Sequence, residues 1–220
     1  MPLAPPPVID AATPAPPARE EPQIYWPSAR FFGDNGGSDS SVFPNLTAIK
    51  ARCGARPPEP LEAFLQAVWD ARDRILILDD YLFKPLEGQS QQDRYGQILA
   101  WLPDGLVANE IRFLTNAHTD QDVIRTQFSE RVAEINRRAP RRLGTTTIEI
   151  RFTLGSTFPY VHDRFAIIDG EFWHFGATVG GLHSLVNATS RGWDANSREA
   201  VRFFDDAWNG DGDVGRGRRG

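Results

Sequence analysis

The pair Asp169-Gly170 constrains this chain more than any other two residues. It separates two short β-prone runs, 164–168 and 171–176, within the stretch FPYVHDRFAIIDGEFWHFGATV at 158–179. A two-residue Asp-Gly loop between such runs specifies a tight β-hairpin. With that loop Ile168 faces Glu171, and counting back sets Arg164 opposite Phe175 and His162 opposite Ala177. Side chains alternate faces along a strand, so His162 and Arg164 project to the same side. An imidazole can attack or donate a proton, and a guanidinium is a fixed fork that suits phosphate oxygens. The small residues Gly176 and Ala177 beside them leave room for a ligand.

The spacing His162-x-Arg164-x4-Asp169-x6-Gly176 resembles the motif of the phospholipase D superfamily: His-x-Lys, four residues, Asp, six residues, Gly-Ser/Thr. Arg164 stands in the lysine place. Ala177 stands in the Ser/Thr place, with Thr178 next to it, and Val179 where active members often carry Asn. The chain looks closest to a His-Asp-Arg branch of phospholipase D-like proteins that is common in bacteria. The resemblance implies an α/β fold, a phospholipase D-like sandwich with a mixed sheet flanked by helices. It also implies chemistry through a phosphohistidine, without metal or cofactor. One histidine attacks phosphorus, a second from another motif copy protonates the leaving group, and paired cations hold the phosphate oxygens. This sequence has one motif copy, so that mechanism needs a homodimer that sets two His162 face to face. Arg164 would stabilise charge on the phosphoryl oxygens. Substrate contacts are expected from Gly176, Ala177, Thr178, Asp79 and Tyr81.

Asp169 lies about 20 Å from His162 along an extended strand, so it is expected to be a turn residue with a structural place in the motif. His174 falls on the opposite face, beside Phe165, and is expected to pack rather than act.

Three parts are expected: a disordered or extended tail at 1–27, a phospholipase D-like domain at 28–208, and a flexible tail at 209–220. The first part holds nine of the 17 prolines and few large apolar groups. Such a segment buries too little surface to offset the entropy of ordering. Residues 28–58 read as irregular structure packed on the domain, with a turn cluster at 34–37. A helix at 60–74 carries Leu61, Phe64, Leu65 and Val68 on one face. It leads into a buried strand, 75–78, that ends in Asp79, Asp80 and Tyr81. In open α/β sheets ligands sit beyond that end. The two carboxylates either cap the chain or reach the site, and they are the candidates to orient His162.

A second helix at 91–102 has Ser90 as its N-cap and Tyr95, Ile98, Leu99 and Leu102 on one face. A strand at 110–114 follows, with Thr115, Asn116, His118, Asp120 and Asp122 after it. That cluster fits no metal-ligand spacing, and no metal site is expected. A helix at about 120–138 runs into Arg137, Arg138, Arg141 and Arg142, which read first as a solvated basic end that complements the macrodipole. A strand at 145–153 precedes the hairpin. The hairpin is followed by a polar loop at 184–194 and a closing helix at 197–208.

The formal net charge of −5 disfavours a broad electrostatic footprint for nucleic acid. Cys53 is the only cysteine, so no internal disulfide can form and a reducing compartment is the default. No secretory signal is visible and no apolar run is long enough to span a bilayer, so a cytoplasmic protein without a transmembrane segment is expected. The expected function is recognition of a phosphodiester or phosphate group, in a nucleic acid or a lipid headgroup, with metal-independent phosphodiesterase (nuclease) activity in a homodimer. The alternative is a pseudoenzyme: a catalytically inactive binding or scaffold module in a larger protein complex.

Overall fold

A computed structural model of the protein describes residues 22–26, 43–54, 60–139, 144–183 and 185–210. The strands are β1 (Gln23–Tyr25), β2 (Arg74–Leu78), β3 (Glu110–Leu114), β4 (Thr147–Arg151), β5 (Arg164–Ile168), β6 (Glu171–Phe175) and β7 (Thr189–Asp194). The helices are α1 (Leu46–Gly54), α2 (Glu62–Asp70), α3 (Gln91–Leu99), α4 (Gln121–Arg138), the single turn α5 (Leu154–Thr157) and α6 (Ala200–Asn209). The strands form one mixed sheet in the order β1-β7-β6-β5-β2-β3-β4. Strands β2, β3 and β4 are parallel; β5 lies antiparallel against β2, and β6, β7 and β1 follow antiparallel. With helices on both faces, this is the α/β sandwich with a mixed sheet that the resemblance implies.

The hairpin has the counted register, Ile168 opposite Glu171 through Arg164 opposite Phe175. The ladder stops there, two residues short of His162. Asp169 turns the chain at φ 53°, a conformation that Asp tolerates better than most side chains. Its carboxylate accepts the backbone N–H groups of Arg72, Asp73 and Arg74 at 2.7–3.1 Å, which ties the hairpin tip to the start of β2. Asp169 therefore holds the fold together at the sheet end opposite Arg164.

Alternation along the strands divides the core. Ile75, Ile77, Ile111, Phe113, Ala166, Ile168, Trp173 and Phe175 face Phe64 and Val68 of α2, Tyr95 and Ile98 of α3, and Ile124 and Phe128 of α4. Leu76, Leu78, Leu114, Phe165 and Ile167 face Phe204, Ala207 and Trp208 of α6. Near-continuous apolar runs such as 75–78 are what a strand covered on both faces needs.

Several boundaries differ from the sequence expectation. The expected polar loop at 184–194 contains β7. Its six residues, TSRGWD, lack a clean apolar alternation because the ladder to β6 shifts register between Phe172 and His174, with Gly192 at φ 102° taking up the bulge. Residues 23–25, inside the Pro-rich segment, pair with β7 as an edge strand. Helix α6 begins at Ala200 rather than 197 because Ser197 closes a turn on Asp194 through its backbone N–H, at 2.6 Å, and its hydroxyl. Helix α3 starts where expected, with Asp93 N–H donating to Ser90 Oγ at 3.0 Å. At the end of α4, Arg138 pairs with Asp104 and Glu134. Arg141, Arg142, the 34–37 turn cluster and most of both tails lie outside the described residues. No helix among those described is long and apolar enough to cross a membrane.

Candidate functional site

Because β5 runs antiparallel to β2 with Leu78 opposite Phe165, the residues just beyond them meet at one end of the sheet. Asp79 follows Leu78 and Arg164 precedes Phe165. The C-terminal ends of β3 and β6 lie at the same edge and bring Thr115–His118 and Gly176–Val179 to it. Arg164 Nε lies 2.8 Å from Asp80 Oδ1 and 3.5 Å from Asp79 Oδ1. Both ion pairs run through Nε, so the two terminal nitrogens lie outside them. The guanidinium sits 4.9 Å from the centre of the Tyr81 ring. A tight turn, Lys84 N–H to Tyr81 carbonyl at 3.0 Å, returns Lys84 over the same ring with its Nζ 5.1 Å from the centre. Tyr81 thus carries two cations, an arrangement its π face favours.

Asp79 is fully buried. Its carboxylate accepts the backbone N–H groups of Tyr81 at 2.8 Å and Val179 at 2.7 Å. Burial pushes its pKa up to about 6, against the lowering effects of those two N–H donors and of the Arg164 and Arg94 charges. Arg94, from α3, is also fully buried. It donates from Nε to the Leu82 carbonyl at 2.8 Å and from Nη1 to the Leu182 carbonyl at 3.3 Å. Burial lowers its pKa to about 10, opposed by the nearby Asp79 charge. Asp79 therefore lies between two guanidinium charges, and Arg94 ties the loop after β2 to the loop after β6.

These groups border a cleft of about 320 Å3 lined by Tyr81, Lys84, Arg164, Thr178 and His183, with Pro85, Leu86 and Glu87 along its rim. The Leu185 N–H donates to His183 Nδ1 at 3.0 Å, so the neutral ring carries its proton on Nε2. Of the expected site residues, Asp79, Tyr81, Arg164 and Thr178 come together here, and Asp80 joins them through Arg164. His162 is exposed, is not on the cleft wall, and makes no hydrogen bond among the described residues. Asp79 and Asp80 turn to Arg164 and backbone N–H groups rather than to His162. Ala177 is buried. Gly176 lies against the segment that leads into β7: an added Cβ would lie 3.2 Å from the Ala188 carbonyl oxygen. His174 is not packed in the core; it is half-exposed, with Nε2 3.7 Å from Asp163.

Three participants were not singled out by the sequence. Lys84 could have been found from the turn that follows Asp79-Asp80-Tyr81. His183 lies just before the polar loop expected at 184–194. Arg94 gave no signal, because an arginine on an amphipathic helix ordinarily faces water. Among the described residues no group of three or more His, Cys, Asp or Glu side chains is arranged to hold a metal ion.

No protein-family model matches the sequence, and no curated protein matches it. Among solved structures the chain is similar to NucT from Helicobacter pylori at 10% identity and a TM-score of 0.40, over 67% of this chain and 86% of that one. It is also similar to TrmBL2, an archaeal chromatin protein whose structure shows a novel mode of DNA binding, at 11% identity and a TM-score of 0.38 over 67% of this chain. The chain spans 47% of the length of TrmBL2.

Proposed function

We propose that this chain recognises a phosphate or phosphodiester group in the cleft between Tyr81, Lys84, Arg164, Thr178 and His183. The observation that carries the reading is the convergence of Arg164 and Lys84 on Tyr81 at the mouth of that cleft. Two cations, a hydroxyl and an imidazole N–H supply donors of the kind that phosphate oxygens accept. The His-x-Arg spacing supports the same chemistry. In a homodimer with two His162 face to face, one imidazole would attack phosphorus and the other protonate the leaving oxygen, which makes the assembly a metal-independent phosphodiesterase. The exposure of His162 leaves it accessible to a second copy.

One specific observation favours a second reading, a binding module without turnover. Arg164 Nε is held by two carboxylates, and no side chain among the described residues orients the His162 ring. Ala177 and Val179 further remove the hydroxyl and amide that the family motif places beside the phosphate.

Turnover in EDTA separates the two. Wild type, His162→Ala and Arg164→Ala are incubated with single-stranded DNA, duplex DNA, RNA and a phospholipid, and cleavage and protein-bound phosphohistidine are followed. Cleavage by wild type that is lost in His162→Ala establishes the phosphodiesterase. Phosphate binding that depends on Arg164, without cleavage of any substrate, establishes the binding module. Absence of both excludes the cleft as a phosphate site.

A further inference from the structure

A second cleft, of about 400 Å3, adjoins the first and shares Tyr81, Lys84 and Pro85 with it. Its far wall is Thr115, Asn116, Ala117 and His118 from the end of β3, with Asp80 and Gln91 completing the rim. The orientation of its polar groups is set by backbone donors. The Gly155 N–H donates to Asn116 Oδ1 at 2.7 Å, so the amide NH2 is the end left for other partners. The Asp120 N–H donates to His118 Nδ1 at 3.0 Å, so the neutral ring carries its proton on Nε2. Lys84 adds an ammonium. On the same wall Asp80 Oδ1 pairs with Arg164 Nε, and the Tyr95 hydroxyl lies 2.7 Å from Gln91 Oε1 and 3.0 Å from Asp120 Oδ2.

We infer that this cleft is a second anion subsite, formed by Asn116 Nδ2, His118 Nε2 and Lys84, and that the ligand of the protein carries two neighbouring phosphate groups. The inference rests on the reading of the Arg164 cleft as the first phosphate site. Lys84 lines both clefts and bridges the two phosphates. A single phosphate satisfies one cleft only, so affinity rises when two are linked. Two chemistries supply such a ligand: a phosphorylated nucleotide chain and a bisphosphorylated headgroup.

The test is calorimetric titration of the full chain with orthophosphate and with pyrophosphate. Wild type is expected to bind pyrophosphate at least about tenfold more tightly, the contribution of one charge-assisted hydrogen bond. Asn116→Asp keeps the acceptor for Gly155 N–H but replaces the donor with a carboxylate, and His118→Ala removes the second donor. Both variants are expected to lose the pyrophosphate preference and keep wild-type affinity for orthophosphate. Asn116→Asp is also expected to keep the wild-type melting temperature, whereas His118→Ala lowers it because the Asp120 N–H loses its acceptor. Arg164→Ala weakens both anions. Displacement of pyrophosphate by a 5′-phosphorylated dinucleotide or by inositol bisphosphate supports a two-phosphate ligand and names its source; displacement by neither overturns it. Equal affinity of wild type for the two anions, or a pyrophosphate preference that survives in both variants, overturns the second subsite and leaves the first intact. If wild type binds neither anion, the first cleft falls and the second with it.

Discussion

Asp79 and Arg164 face each other across the junction of β2 and β5, with Asp79 Oδ1 3.5 Å from Arg164 Nε. The pairing follows from strand order. Leu78 lies opposite Phe165, so the residue after one strand meets the residue before the other. Asp79 is buried with its oxygens on the Tyr81 and Val179 N–H groups. It anchors both loops that wall the 320 Å3 cleft, and it supplies a negative charge that fixes Arg164 at its edge. The arginine is thus held in place by the fold itself.

That arrangement makes stability depend on pH with a definite sign. Asp79 titrates at about 6 in the folded chain, against 3.8 as its ordinary value. Between those values the native state holds a proton that the unfolded state has released. Its contribution to stability is therefore full below about pH 4 and falls as pH rises through 6, by at most about 3 kcal/mol. Asp104 acts in the opposite sense, because hydrogen bonding to Arg131 and the neighbouring Arg138 hold its carboxyl below the usual range. Urea unfolding of wild type and Asp79→Asn from pH 4 to 7.5 separates the two. The difference between the proteins should change across pH 4 to 6.5 and level off above it. A constant difference would rule out the buried, titrating carboxyl.

Asp169→Ala should destabilise the fold by about 2–4 kcal/mol, because three backbone N–H groups at the start of β2 lose a charged acceptor. Asp169→Asn keeps one carbonyl oxygen and should lose less. Affinity for phosphate should stay at the wild-type value in the folded fraction, since the clamp sits at the far end of the sheet. A loss of affinity without a loss of stability in urea titration would place Asp169 at the site instead.

The legible parts of this fold were those encoded locally. Asp169-Gly170 permits one tight pairing, so the register from Arg164 to Phe175 could be counted without knowledge of the rest of the chain. Ser90 announced α3 because its hydroxyl caps the third residue beyond it. What depends on strand order was not legible. Nothing in residues 75–81 states that β5 will dock antiparallel beside them, so the Asp79–Arg164 pair emerges only from the assembled sheet. Strand β7 was missed because its bulge at Gly192 breaks the alternation by which strands are read. His162 was read from a motif and its place in the hairpin, but the ladder ends before it. His183 reaches the cleft by a loop whose path depends on two glycines in left-handed conformations, Gly180 and Gly181.

Gly180 gives a sharp test of that loop. Its φ is 80°, and a Cβ there would lie 2.6 Å from Cζ2 of the buried Trp101 ring. The Gly180 carbonyl also accepts the N–H of Leu61 at 2.8 Å, which seats the start of α2. Gly180→Ala therefore incurs both backbone strain and overpacking, together about 2–4 kcal/mol. Thermal and urea unfolding should register this. A loss under about 0.5 kcal/mol, the size of an ordinary surface change, would mean that the loop can move away from Trp101.

Arg94 and Asp79 should prove energetically coupled, and the coupling should depend on pH. Arg94 is fully buried, and two of its nitrogens hold the Leu82 and Leu182 carbonyls. Arg94→Met keeps much of the volume and removes the charge and both bonds. At pH 7.5 Asp79 is ionised, so the variant leaves a buried carboxylate with one countercharge fewer, and the cost should reach about 3–5 kcal/mol. At pH 5 Asp79 is protonated in the native state, and only the loss of the carbonyl bonds remains. The cost should then fall to about 1–3 kcal/mol. A double-mutant cycle with Asp79→Asn, run by urea unfolding at both pH values, measures the coupling directly. Coupling at pH 7.5 that disappears at pH 5 identifies the guanidinium as the electrostatic support of the site. Equal costs at both pH values would mean that Arg94 acts only as a tether between the two loops.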